Sequence, residues 1–387
     1  MSVTAAAGFI AGGIAAGIKS SGNRDLALVA VASNEPVAAA GVFTRNKMVA
    51  APVITTQAHL EATAGHAVAV ILNSGNANAA TGQQGLSDAE AMCAAVGVEL
   101  GVPAAQVLVC STGLIGIPMP IETIAEAIPN VVRALAPNGD HDAATAIMTT
   151  DTVAKQVVIK GNGFVVGGMA KGAAMLSPNM ATMLAVLTTD AAASPEQLKA
   201  ALAYGIVNSF NALDVDGCTS TNDTVLLLAS GLAGPVDESA LNGAVAQACA
   251  SLASQMCSDA EGATKVVRMT VVGASSDAEA LLGARYVARS NLVKCSWYGS
   301  DPYWGRIASD LGSCGIDFDP ARFSVSYGGV TVCAGAVDIA HDDAFVAAHM
   351  AGRNLDIVAD LGLGSGSATI LTNDLSHAYI DENMGTS

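Results

Sequence analysis

Short runs rich in Val, Ala and Leu recur along the 387-residue chain, at 26–32, 66–73, 106–110, 153–160, 164–170, 183–188, 224–230 and 265–273. Each has strand length and is bounded by Gly, Asn, Asp or Ser, the residues that end strands. Between them, helices are expected over 88–100, 194–210, 237–257 and 276–290. In Ser194-Pro195-Glu196-Gln197 the serine can cap, the proline suits the first turn and Gln197 can close a capping box; Ser276 and Glu279 repeat the spacing. Gly161-Asn162-Gly163 joins two of the strands and suits a hairpin turn that needs positive φ. Strands alternating with helices, with at least one hairpin, predict a layered α/β (α+β) architecture, neither a helix bundle nor an all-β sandwich.

With 51% hydrophobic residues, 13% charged and 40 glycines, the chain has the composition of a compact protein with a large core. Its length suits two to three domains, or one large layered domain with an appendage. The weak candidates for a boundary are the Gly/Pro/Asp-rich stretch 136–142 and the region near Ser290. Lys plus Arg number 17 against 34 Asp plus Glu, a formal charge of −17 that disfavours nucleic acid and anionic lipid as partners. A small anionic or zwitterionic substrate stays possible, because a few basic residues can dominate one pocket. Residues 5–18 are uncharged and Ala/Gly-rich, but no Lys or Arg precedes them and they are too short to span a bilayer, so they read as buried structure. A soluble, cytoplasmic protein is expected. The 8 cysteines form no CxxC pair and have no His at ligand spacing; they read as reduced core thiols, and no metal is expected. Gly362-Leu363-Gly364-Ser365-Gly366 lacks the spacing of a phosphate-binding loop.

The run from Lys171 to Leu184 carries the most chemistry: a loop with Gly172, Ser177 and Pro178 leads into an apolar strand that starts at Thr182. Attack of the Thr182 hydroxyl on the Ala181 carbonyl would turn the amide into an ester. Hydrolysis would then expose an N-terminal threonine. A free α-amine has a pKa of about 7.7–8.0, so near neutral pH it can take the proton of its own residue's hydroxyl, and one residue supplies nucleophile and base. From residue type alone, a threonine at a strand start is ordinarily structural.

The blocks Gly41-Val42-Phe43-Thr44-Arg45-Asn46, Leu72-Asn73-Ser74-Gly75-Asn76-Ala77-Asn78, Cys110-Ser111-Thr112-Gly113-Leu114-Ile115-Gly116, Ile147-Met148-Thr149-Thr150-Asp151, the Lys171 to Leu184 run, Asp259-Ala260-Glu261-Gly262-Ala263-Thr264-Lys265 and Gly299-Ser300-Asp301-Pro302-Tyr303-Trp304-Gly305-Arg306 follow one another in order. Over essentially its whole length the chain resembles the ornithine acetyltransferases (glutamate N-acetyltransferases) of arginine biosynthesis, the ArgJ family. The resemblance implies a self-processed sandwich of the DmpA/ArgJ type, similar to N-terminal-nucleophile hydrolases. It implies an alpha chain 1–181 and a beta chain 182–387 associated as α2β2. It also implies transfer of acetyl from N-acetylornithine to glutamate through an acetyl-threonine ester, without a cofactor.

Residue by residue, the resemblance implies Thr182 as nucleophile, Thr112 and Gly113 as the oxyanion hole, and Thr149, Lys171, Thr182, Glu261, Asn383 and Ser387 as substrate contacts. Lys171 suits an α-carboxylate and Glu261 a substrate ammonium. Taken singly, Lys171 reads as a solvated cation, Glu261 as a helix-end carboxylate, and Thr112-Gly113 as a plain strand-to-loop turn. The C-terminal Asn383-Met384-Gly385-Thr386-Ser387 departs from the family pattern: it lacks a tyrosine and is one residue short, which puts Ser387 in doubt. Acetyl-coenzyme A as a further donor is left open by the sequence. The rival readings are an N-terminal-nucleophile aminopeptidase or amidase on the same fold, and a non-catalytic paralogue.

Overall fold

A computed structural model describes residues 1–175 and 183–385. They form two compact units, one from Met1–Asn211 with Cys218–Met256, the other from Ala212–Gly217 with the described residues from Cys257 to Gly385. Neither candidate boundary separates them. Stretch 136–142 lies inside the first unit, where a Cβ on Gly139 would come within 1.9 Å of the Ala11 carbonyl oxygen. Its Gly and Asp thus serve a tight approach to a strand and the start of a helix. Ser290 lies inside the second unit, where its side chain accepts from Val293 N and caps a helix.

The first unit contains two sheets. In chain order its strands are β1 (Phe9–Ile14), β2 (Leu26–Val31), β3 (Val37–Phe43), β4 (His66–Ala67), β5 (Ala69–Asn73), β6 (Val107–Ser111), β7 (Lys155–Lys160), β8 (Val165–Lys171), β9 (Leu184–Ala192) and β10 (Thr224–Pro235). One sheet has the order β1-β2-β5-β6, the other β4-β3-β10-β9-β8-β7. Both are mixed, with β5 parallel to β6 and β9 parallel to β10. The run of β2 is apolar throughout because both its faces are buried. Leu26, Leu28 and Ala30 pack in one core with Ile71, Val107 and Val109 against helices Gly82–Leu100 and Ile121–Arg133. Ala27, Val29 and Val31 face the other core, where they meet Met169, Leu184, Val186, Leu226 and Leu228 of the second sheet. A period of two thus separates a helix-facing from a sheet-facing set, as expected of a central layer. Helix Ile121–Arg133 escaped the sequence reading because Pro129 lies inside it; its buried Ile124, Ala127, Ile128 and Val131 follow helical spacing.

The expected hairpin is present, β7 and β8 pairing antiparallel across a turn in which Gly163 has φ 83°. Ser194 closes a reciprocal capping box with Gln197 at the start of Pro195–Val207, and Ser276 accepts from Glu279 N at the start of Asp277–Arg289. Segment 5–18 is partly strand, as β1.

The second unit has one mixed sheet, of β11 (Val266–Ala274), β12 (Ser324–Tyr327), β13 (Val330–Ala334), β14 (Val337–Asp338), β15 (Asn354–Asp360) and β16 (Gly366–Asn373), in the order β14-β13-β12-β15-β11-β16. Val267, Met269 and Val271 join a core with Ala284, Val287 and Leu311 of the covering helices. On the opposite face Arg268 pairs with Asp356 at 3.2 Å, both largely exposed. Between β15 and β16, Leu363 N and Gly364 N both donate to the Gly273 carbonyl at 2.8 Å. The glycines of that loop serve chain packing.

The reading of every cysteine as a core thiol needs correction. Cys218 and Cys295 are exposed and Cys314 is half-buried, while the other five are buried. Among the described residues, no helix is long and apolar enough to cross a membrane.

Candidate active site

Parallel strands β5 and β6 end side by side at Asn73 and Ser111, and the loops that follow stay together. Thr112 N donates to the Asn73 carbonyl at 3.0 Å. Gly113 has φ +129°, and a Cβ there would lie 2.3 Å from the Gly75 carbonyl carbon, so this close approach needs glycine. The Thr112 side chain is buried. Among the described residues neither its hydroxyl nor the Gly113 N–H has a hydrogen-bond acceptor, so two adjacent donors remain for a ligand oxygen. Asn222, which the sequence reading did not single out, holds the two loops: its Nδ2 donates to the Ala77 carbonyl at 2.6 Å and the Ser111 carbonyl at 2.9 Å. The signal that could have found it was the polar run 219–223 placed directly before an apolar strand.

Thr149 and Lys171 are brought together by a third residue, Asp151. Its Oδ1 accepts from Lys155 Nζ at 2.5 Å and from Gly172 N at 2.8 Å, and its Oδ2 accepts from Thr149 N at 3.0 Å. Burial alone would raise the Asp151 pKa, but Lys171, Lys155 and these hydrogen bonds outweigh it and hold the carboxyl down at about 2. Lys171 ends β8 and is buried, which sets aside its reading as a solvated cation. Lys19 Nζ donates to the Met148 carbonyl at 2.6 Å. Burial lowers the Lys19 pKa, and the charge of Lys171 lowers it further against the opposing pull of Asp25 and Asp151. A chain of net −17 therefore gathers three lysines around one carboxylate here. Such a cluster suits a substrate carboxylate.

At the start of β9, Met183 is held on both sides: its N–H donates to Asp223 Oδ1 at 2.8 Å, and Thr224 N donates to its carbonyl at 3.0 Å. Asp223 is buried, and among the described residues its Oδ2 has no hydrogen bond within the ordinary geometry. Burial pushes its pKa well up, against the smaller opposing effects of the Met183 bond, the Lys171 charge and the neighbouring Thr44 hydroxyl, which itself donates to the Ser220 carbonyl at 2.6 Å. The expected cleavage residues Ala181 and Thr182, and the expected substrate contact Ser387, lie outside the described residues.

In the second unit, Glu261 Oε2 accepts from Asn383 Nδ2 at 2.7 Å, so two expected substrate contacts meet although 122 positions separate them. Gly262, next to Glu261, has φ +62°, and a Cβ on it would lie 2.3 Å from Tyr379 N; this packs the Glu261 turn against helix His377–Glu382. Glu261 lines a cavity of about 70 Å³ together with Asp216, Lys294, Asp374 and Tyr379. Lys294 donates to the carbonyls of Val215 and Asn373. Burial draws its pKa down to about 8. Among the described residues, no three His, Cys, Asp or Glu side chains converge to hold a metal.

Comparison with known proteins gives a consistent result. A family model described as the ArgJ family matches residues 10–385. An arginine biosynthesis bifunctional protein ArgJ from Mycobacterium leprae is 50% identical over 398 residues, covering 100% of this chain and 95% of that protein. Its counterpart in Streptomyces coelicolor is 46% identical over 388 residues, with 100% of both covered. Among solved structures, an ornithine acetyltransferase complexed with ornithine, from Mycobacterium tuberculosis, matches with 46% identity and a TM-score of 0.42, covering 46% of this chain and 94% of that one.

Proposed function

The chain belongs to the ArgJ family, and on that premise we propose that it moves the acetyl group of N2-acetyl-L-ornithine to L-glutamate through an ester on Thr182, which it exposes by cutting its own chain after Ala181. The products 1–181 and 182–387 stay associated, as an α2β2 assembly, in the cytoplasm. The observation that carries the reading is the pair of donors on Thr112 and Gly113, left without acceptors at the joined ends of β5 and β6.

The Thr182 hydroxyl gives its proton to its own α-amine and attacks the acetyl carbonyl. Negative charge develops on the carbonyl oxygen, and the Thr112 hydroxyl and Gly113 N–H receive it. The α-ammonium returns its proton to the departing nitrogen, so that ornithine leaves as the amine, and the glutamate amine, giving up a proton to the freed α-amine, attacks the acetyl-threonine in a second round of the same steps. Lys171 binds the substrate carboxylate, with Thr149 beside it on the Asp151 scaffold. Glu261, oriented by Asn383, binds a substrate ammonium. Ser387 is proposed as a further substrate contact. Because a threonine carries the acetyl group, the transfer calls on no cofactor. Acetyl-coenzyme A as a second donor is proposed from the bifunctional description of the relatives.

Mass spectrometry tests the reading. The purified protein should give fragments of 181 and 206 residues, the second beginning at Thr182. Mixed with acetylornithine alone, that fragment should gain one acetyl group on its N-terminal peptide and lose it when glutamate is added. An uncut active chain, or an adduct elsewhere, rejects the mechanism. Hydrolysis of acetylornithine as fast as transfer would favour the aminopeptidase or amidase reading instead.

A further inference from the structure

Lys19 is used by none of the steps above, yet it touches both parts of the first unit's candidate site. It follows β1 in a loop that Asp25 fixes. The Asp25 carboxylate, fully buried, accepts from Ala16 N at 2.6 Å, Ile18 N at 2.6 Å and Lys19 N at 2.9 Å. On one side the Lys19 stem packs against the loop after β5: a Cβ on Gly75 would lie 3.1 Å from Lys19 Cγ, and Gly75 is the residue that Gly113 approaches. On the other side Lys19 Nζ donates at 2.6 Å to the carbonyl of Met148, directly before Thr149, and at 3.0 Å to that of Arg24. An ammonium has three donors, and among the described residues these carbonyls are its only acceptors.

The charges around Lys19 do not balance. Three cations, Lys19, Lys155 and Lys171, act on two carboxylates, Asp25 and Asp151. Asp223, on which Lys171 also acts, is pushed toward its neutral form by burial. One positive charge is therefore left over in a half-buried place, where attraction for an anion is screened less than at the open surface. Lys155 does not supply it to a ligand, because its pair with Asp151 has no exposed surface. Acetylornithine and glutamate share one group that would restore the balance, an α-carboxylate. In acetylornithine that carboxylate sits on the carbon next to the acetylated nitrogen, so its subsite must adjoin the oxyanion donors, as the Lys19 loop does. We propose that Lys19 is a positioning residue of the carboxylate subsite: it fixes the Met148 carbonyl, and Thr149 with it, and its charge holds the α-carboxylate of both substrates on Lys171. The inference rests on the acetyl-transfer reading above.

Lys19→Met tests this, since Met keeps most of the stem and removes the charge. KM for acetylornithine and for glutamate should each rise about tenfold or more while kcat changes less than about threefold, as expected when a charged contact to a non-reacting group is weakened. A merely structural role is separated by N-acetyl-1,4-diaminobutane, which is acetylornithine without its carboxylate. On that substrate the kcat/KM values of wild type and Lys19→Met should agree within about twofold, because the variant has lost only what acted on the absent group. Equal losses with and without the carboxylate, or an unchanged KM for acetylornithine, overturn the inference. Should Lys19→Met fail to fold, Lys19→Gln keeps a donor for the Met148 carbonyl without the charge, and the same pair of substrates decides. Wild-type protein that moves no acetyl group from acetylornithine to glutamate defeats the acetyl-transfer reading and this inference with it; an active wild type whose Lys19 variant loses equally on both acetyl donors defeats only the inference.

Discussion

Lys155 Nζ lies 2.5 Å from Asp151 Oδ1, and neither side chain has any exposed surface. The same carboxylate receives Thr149 N and Gly172 N, so this ion pair is the anchor of the loop and strand end that carry Thr149 and Lys171. Asp151→Asn would remove the carboxylate that pairs with the buried Lys155 ammonium, at a cost of about 3–5 kcal/mol in a denaturant titration. Lys155→Met should cost less, because Lys171 still acts on Asp151. The pair also sets an acid limit. With the folded pKa held at about 2 against an ordinary 3.8, its contribution is complete above about pH 4 and is lost as pH falls toward 2. Wild-type stability should show this loss in that window, and the Asp151→Asn variant should lack the part due to this group.

Thr112→Ala removes one of the two donors proposed to receive the developing oxyanion. We expect kcat for acetyl transfer to fall about 10²- to 10³-fold with Tm nearly unchanged. Gly113→Ala should behave differently, because its Cβ would meet backbone at 2.3 Å; Tm should drop along with activity. A Thr112→Ala variant with normal kcat would remove the residue from the oxyanion site.

Glu261→Gln keeps a hydrogen bond to Asn383 possible while removing the charge proposed to meet a substrate ammonium. KM for acetylornithine should rise about tenfold or more, and the cleavage pattern on a denaturing gel should not change. Unaltered kinetics would return Glu261 to a purely structural role.

Asn222→Ala would leave the carbonyls of Ala77 and Ser111 without their donor. The expected loss is about 1–3 kcal/mol for each buried group left unpaired, read in urea unfolding. Since these bonds hold the loops that carry Thr112 and Gly113, kcat should fall as well.

Thr182→Ala should give an intact chain of 387 residues with neither cleavage nor transfer, and Thr182→Ser slower cleavage with some transfer. Serine keeps the oxygen but lacks the methyl group that restricts χ1. Intact mass and an acetyl-transfer assay decide both.

The features that could be read along the chain are those whose causes act over a few residues. The caps at Ser194 and Ser276, the Gly161–Gly163 hairpin turn and the apolar runs of β2, β9 and β10 depend on turn chemistry and side-chain period, which a sequence displays directly. The ordered motif blocks were legible for the same reason, and they carried the family assignment. What the sequence could not display is which strand ends lie together. Asn222 reaches the loops after β5 and β6 across 145 and 111 positions, and Asn383 reaches Glu261 across 122. The burial of Lys155, Lys171 and Asp223, the exposure of Cys218 and Cys295 and the division at Asn211 and Met256 belong with these. Each depends on the choice of neighbouring strands and covering helices. That choice is made by the whole core at once, because a buried charge or polar group is tolerated only where the completed fold supplies its partner.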